Sequence, residues 1–199
     1  RSSIINVIND PNVRHRFGEV TDFSFQKDNN SRFYKIGDGS LGGKARGLAF
    51  AKDMISQSGI NDKYENIIVK IPRTAIIGTG EFDSFMQNNK LWDLALKENS
   101  NKKVEELFIN SRISMELTLK VEAFLKLCKY PIAVRSSSLL EDSQYQALSG
   151  AYSTFMLSND QNSFKDRIKE LINAIKLVYA SIFFQESKSH FNHTAHRTE

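Results

Sequence analysis

A single cysteine, Cys128, and only three prolines occur in a chain of 199 residues. One thiol cannot close a disulfide within the chain, which excludes a disulfide-stapled scaffold and fits a reducing cytoplasm. Cys128 sits in EAFLKLCKY on an apolar helical stripe, the position of a buried structural thiol rather than a reactive one. No apolar run approaches the ~18 residues that a membrane span requires, so no membrane segment is expected. The opening stretch RSSIINVINDPNVRHRF has no apolar core of the kind a secretory signal carries, and it starts at Arg1 rather than methionine; a segment of a longer protein is the expectation. Charge of one sign is not in large excess either. The 27 basic and 23 acidic residues leave +4, and the basic side chains are scattered among acids, so nothing calls for a nucleic-acid partner.

What is present describes an ordinary globular protein, 40% hydrophobic and 25% charged, with room for one sizeable core. Residues 1–30 are polar and asparagine-rich and read as an arm or the remnant of an upstream region. Residues 31–185 read as one domain, and 186–199 as a polar tail. His190, His193 and His196 in that tail recur every three residues, which neither aligns them on one helix face nor matches a zinc spacing, so no metal site is assigned.

SRFYKI alternates as a half-exposed strand does. KARGLAFAKDMISQSG places Leu48, Ala51 and Ile55 at helical spacing, with Gly59 as a stop. NIIVKIPRTAIIGTG holds two β-branched runs split by Pro72, predicting a bent strand or two consecutive ones. Thr79 is placed to cap the next helix, with Phe82, Phe85 and Met86 on one face, and LWDLALKEN predicts a further helix. Ile113, Leu117, Val121, Phe124, Leu125 and Cys128 mark another. PIAVRSSS has the form of a short buried strand that ends on a charge, and YSTFML of a second strand. Phe164, Ile168, Leu171, Ile172, Ile175, Tyr179 and Ile182 mark a long amphipathic helix. The class is α+β (mixed α/β), helix-rich with short strands.

Two clusters carry chemistry. KIGDGSLGGKARG, residues 35–47, holds five glycines between a strand and a helix. Gly37, Gly39 and Gly42 satisfy G-x-G-x-x-G, yet the strand before them carries Arg32 and Lys35, and no acidic residue ends the next strand as a dinucleotide fold requires. Counted back from Gly43-Lys44, a Walker A loop would need glycine where Asp38 stands and a hydroxyl where Ala45 stands. A kinase-type loop joins two strands, whereas this one opens a helix. The physics remains: glycines let backbone N–H groups approach oxygen atoms, the helix start adds partial positive charge, and Lys44 adds a full one. A glycine turn with a solvated lysine is the bland alternative.

The second cluster is AVRSSSLLEDSQYQALSGAYSTFML, residues 133–157. Arg135 emerges from an apolar strand into three serines, and Ser138 to Glu141 has capping-box spacing. Arginine can clamp a phosphate bidentately while serines and Gly150 supply donors. Pairing of Arg135 with Glu141 or Asp142 is the purely structural alternative.

In order and spacing, Gly42-Gly43-Lys44, Ile71-Pro72 with Thr79, Val134-Arg135-Ser136-Ser137, Glu141-Asp142, and Gly150 with Thr154 resemble the N-terminal ATP-binding region of the phosphoenolpyruvate synthase and pyruvate phosphate dikinase family. The resemblance spans roughly residues 33–185. Ala45 and Arg46 depart from the family's small Gly-Ala pair, and Ala151 and Ser153 stand where polar or acidic residues are common. It implies the first lobe of an ATP-grasp domain, with Lys44 and Arg135 on ATP phosphates, Gly43 in the loop, and Gly150 and Thr154 in the segment covering the nucleotide. Ser136 belongs to the motif. It also implies Mg2+, with metal ligands and the second lobe downstream, and no catalytic residue here beyond the phosphate binders. The implied partners are ATP and further domains, one bearing a phosphorylated histidine and one binding pyruvate. A related glucan dikinase or antibiotic phosphotransferase shares the same lobe, and a non-catalytic nucleotide-sensing module is the alternative of another class.

Overall fold

The computed structural model describes residues 21–22, 32–137 and 152–189. Three short parallel strands form one sheet: β1 (Thr21–Asp22), β2 (Phe33–Ile36) and β3 (Thr74–Ile77), in that order. Between β2 and β3 runs α1 (Gly43–Gln57), followed by the single turn α2 (Ile60–Lys63). The unit is strand, crossover helix, parallel strand, and its sheet is covered on both faces, as parallel sheets require. Phe33 and Ile76 pack with Ala45 and Ala49 of α1, while Tyr34 and Ile36 face the opposite side.

Four helices follow: α3 (Thr79–Asn88), α4 (Trp92–Lys97), α5 (Asn101–Asn110) and α6 (Met115–Leu127). Antiparallel strands β4 (Ile132–Arg135) and β5 (Thr154–Leu157) make a two-stranded ribbon, and α7 (Phe164–Ser181) closes the order. One shared core gathers Ile36, three residues of α6 (Leu117, Val121, Leu125) and two of α7 (Leu171, Ile175), with Ile132, Val134 and Leu157 of the ribbon packed against them. α7 is therefore the beam on which both sheets rest. A second core joins α3, α4 and α5 to the end of α7 through Phe85, Met86, Ala95, Val104, Phe108 and Ala180.

The helix-rich α+β class expected from the sequence is the one observed. Gly59 takes the left-handed conformation (φ 59°) at the end of α1, as a helix stop should. Several details differ. The first β-branched run, residues 66–71, forms no strand: Ile67 and Ile68 are exposed. The Asn61 side chain accepts the Val69 N–H at 2.8 Å and donates to the Val69 carbonyl at 3.3 Å. That satisfies groups a ladder would otherwise use, and Pro72 offers no N–H to resume one. In α1 the buried positions are Ala45 and Ala49, and Leu48 is exposed, because the helix lies close on the sheet and small residues set that contact. α5 carries only Val104 and Phe108 as buried residues, too thin a stripe to announce itself; Ser100 caps it by accepting the Lys103 N–H. β4 is half-exposed rather than buried, since the ribbon has one face on the core.

Candidate functional site

The glycine loop, residues 37–42, leaves the C-terminal end of β2 and opens α1, beside the C-terminal end of the parallel β3. Open α/β sheets present ligand sites at this edge. The loop is tied down by backbone and side chain. Gly78 N–H donates to the Ile36 carbonyl at 2.9 Å, and Gly80 N–H to the Asp38 carbonyl at 3.0 Å. Ser40 and Thr79 exchange two bonds: Ser40 N–H donates to Thr79 Oγ1 at 3.0 Å, and Thr79 N–H to the Ser40 carbonyl at 3.2 Å. Thr79 thus clamps the glycine loop instead of capping α3, whose N-cap is Gly78 with no side-chain cap bond. Gly39 (φ 91°) permits this approach, for a Cβ there would stand 2.4 Å from Thr79 Oγ1.

The start of α1 is capped from a distance. Its N-cap Gly42 has no side chain, and the Ala45 N–H donates instead to Ser137 Oγ at 2.9 Å, across 92 residues of sequence. The same hydroxyl donates to the Leu41 carbonyl at 2.9 Å. Gly42 lies buried at φ 75°, and an added Cβ would fall 1.6 Å from the Ser137 carbonyl oxygen. Only glycine fits there. Through Ser137 the structure brings the second cluster onto the first: Gly43 and Lys44 are the first two residues of α1, and Arg135 ends β4 two residues before Ser137.

Arg135 and Thr154 are direct cross-strand partners on the outer, exposed face of the ribbon. Ala133 and Met156 form the neighbouring pair on that face, and Met156 is also exposed. Ser136 is half-buried, and Lys44 carries its ammonium nitrogen out of solvent, which removes the solvated-lysine alternative. The return into β5 is fixed by Ser153, whose N–H donates to Ser181 Oγ at 3.1 Å on α7. Gly150, Glu141 and Asp142, the proposed capping box at Ser138 and the three C-terminal histidines lie outside the described residues.

Behind the loop stands Glu81, in the first turn of α3 and in contact range of Gly37. Burial pushes its carboxyl above the usual carboxylate range; Lys120 opposes the shift, and Glu116 and Asp38 add to it. Among the described residues, no group of three or more His, Cys, Asp or Glu side chains is arranged to hold a metal ion, and no helix is long and apolar enough to cross a membrane.

The local pattern did not reveal the roles of Ser137 and Thr79. Ser137 is the fourth residue of the Val-Arg-Ser-Ser motif, but its partner Ala45 lies in the other cluster, and no short-range periodicity records that pairing.

A family model described as pyruvate phosphate dikinase, AMP/ATP-binding domain, matches residues 38–199. That range starts inside the glycine loop and contains both clusters, and the chain belongs to this family. Neither a curated protein nor a solved structure matches the chain.

Proposed function

We propose that this chain is the ATP-holding first lobe of an ATP-grasp-type phosphotransferase related to phosphoenolpyruvate synthase, which passes a phosphoryl group from ATP to a histidine on another domain. The observation that carries the reading is the Ser137 joint, which sets a glycine-rich helix start bearing Lys44 beside a strand end bearing Arg135. In this reading two cations and a helix N-terminus serve one ligand, a set that suits a polyphosphate better than any singly charged ligand.

In this reading Lys44 and Arg135 neutralise phosphate oxygens, the Gly43 N–H donates from the helix start, and the Thr154 hydroxyl donates from across the ribbon. Ser136 and Gly150 complete the set that the family motif supplies. The attacking histidine nitrogen forms a bond to a phosphorus of ATP as the bond from that phosphorus to the oxygen of the departing nucleotide breaks. The protein's contribution is to hold the chain of phosphates in line and offset its charge. Mg2+ accompanies such transfers, but the described residues offer no ligand set for it.

Lys44→Ala and Arg135→Ala, made separately in the complete protein, are expected to weaken MgATP binding about tenfold or more, the loss of one charge-assisted bond each. Both are also expected to abolish labelling of the protein by γ-labelled ATP. Full labelling in both variants would refute the assignment. ATP binding without any labelling in the unmodified protein would favour the nucleotide-sensing module.

A further inference from the structure

The Ser137 hydroxyl makes two bonds to one short stretch of the other cluster, accepting from the Ala45 N–H and donating to the Leu41 carbonyl, both at 2.9 Å. These atoms flank Gly42, so the hydroxyl spans the turn into α1 from one side to the other. Its carbonyl approaches Gly42 from the same direction, in a space that any side chain at Gly42 would fill. The contact is thus double: side chain across the turn and backbone against the missing Cβ. Ser137 is also rigidly linked to Arg135 through two peptide units, at the end of a strand whose inner face is packed on the core. The same end of the ribbon is held on its other strand, where the Ser153 N–H donates to Ser181 Oγ of α7.

From this we infer that Ser137 is a positioning residue: its hydroxyl sets the distance and angle between the Lys44 helix start and the Arg135 strand end, so that both cations act on one chain of phosphates. Ser100, Ser114 and Ser163 cap the helices that they themselves precede, α5, α6 and α7. Ser137 caps α1 from another part of the chain, where the N-cap Gly42 has no side chain to do so. By occupying the Ala45 N–H, it also leaves the earlier turn of α1, at Gly43 and Lys44, as the part of the helix start that faces a ligand.

The inference rests on the ATP reading above, and the test separates the two. Binding of MgATP and of AMP is measured on the complete protein, unmodified and with Ser137→Ala or Ser137→Thr. Ser137→Ala is expected to weaken ATP about tenfold and AMP less than about twofold, because only ATP reaches both cations. Ser137→Thr, which keeps the hydroxyl, is expected to recover most of the ATP affinity. A Lys44→Ala and Arg135→Ala double-mutant cycle on ATP affinity is expected to be non-additive in the unmodified background and additive with Ser137→Ala. An unchanged ATP-to-AMP ratio in Ser137→Ala, whether both affinities fall or neither does, would overturn the positioning role while leaving the ATP reading intact. So would additivity in the unmodified background, a result that does not depend on Ser137→Ala folding. No ATP binding by the unmodified protein would overturn both.

Discussion

Gly42 shows how much a single missing atom decides. Its φ of 75° lies in the left-handed region, and an added Cβ would sit 1.6 Å from the Ser137 carbonyl oxygen. Gly42→Ala therefore combines the conformational cost of about 1 kcal/mol with a forced displacement of two backbones, and a loss above about 2 kcal/mol is expected in denaturant unfolding. Tyr179 presents the reverse case. Its ring packs against Phe82 and Phe85 at centroid distances of 5.1 and 5.6 Å, yet its hydroxyl is buried with no hydrogen-bond partner among the described residues. Burial and the nearby Glu81 carboxylate push that hydroxyl's pKa upward, so it stays neutral. Tyr179→Phe keeps the ring contacts and removes an unsatisfied polar atom, so it is expected to leave Tm unchanged or raise it by a few degrees. A clear fall in Tm would show that the hydroxyl has a partner.

At the scale of elements, the end of α6 depends on side chains from far along the chain. Asn159, buried and left-handed at φ 58°, donates to the Cys128 and Tyr130 carbonyls, both at 3.0 Å. Arg167 of α7 donates to Asn159 Oδ1 and to the Cys128 carbonyl, both at 2.8 Å. Asn159→Ala takes the Asn159 partner from the Tyr130 carbonyl and the Arg167 Nε–H, leaves the Cys128 carbonyl to Arg167, and adds a left-handed penalty, so a loss of about 2 to 4 kcal/mol is expected; Asn159→Gly is expected to recover about 1 kcal/mol of it. Equal losses for the two would mean that the backbone conformation contributes nothing. Beside this network the Cys128 thiol is fully buried, and burial raises its pKa. Elements with a wide apolar stripe, α6 and α7, were legible from periodicity alone. Those set by contact geometry were not: α1 buries alanines while its Leu48 faces out, and the 66–71 run looks like a strand but is pinned by Asn61.

Across the whole molecule, the two sheets share one core on α6 and α7, and the candidate site lies where the parallel sheet's loop meets the end of the ribbon. Glu81 sits behind that junction with its carboxyl pKa raised by burial. A raised carboxyl pKa means the folded chain holds the proton more tightly than the unfolded one. The stability this confers is present below the ordinary value of 4.5 and is lost as pH rises through the folded-state value. Glu81→Gln is therefore expected to raise Tm at pH 7, with the gain shrinking toward zero as pH falls below about 4.5. A gain of equal size at low pH would assign the effect to packing instead of charge.

The sequence by itself determined the α+β class, the amphipathic helices, the glycine loop that opens a helix, and the two motif clusters that mark the family, because periodicity, turn chemistry and short motifs are local properties of a chain. Only the tertiary structure decided how the clusters meet. Ser137 caps α1 across 92 residues, Thr79 clamps Ser40 instead of capping its own helix, and Arg135 faces Thr154 across the ribbon. Hydrogen bonds of that range depend on how the sheets pack around α7, and packing is a property of the assembled core that no local window contains.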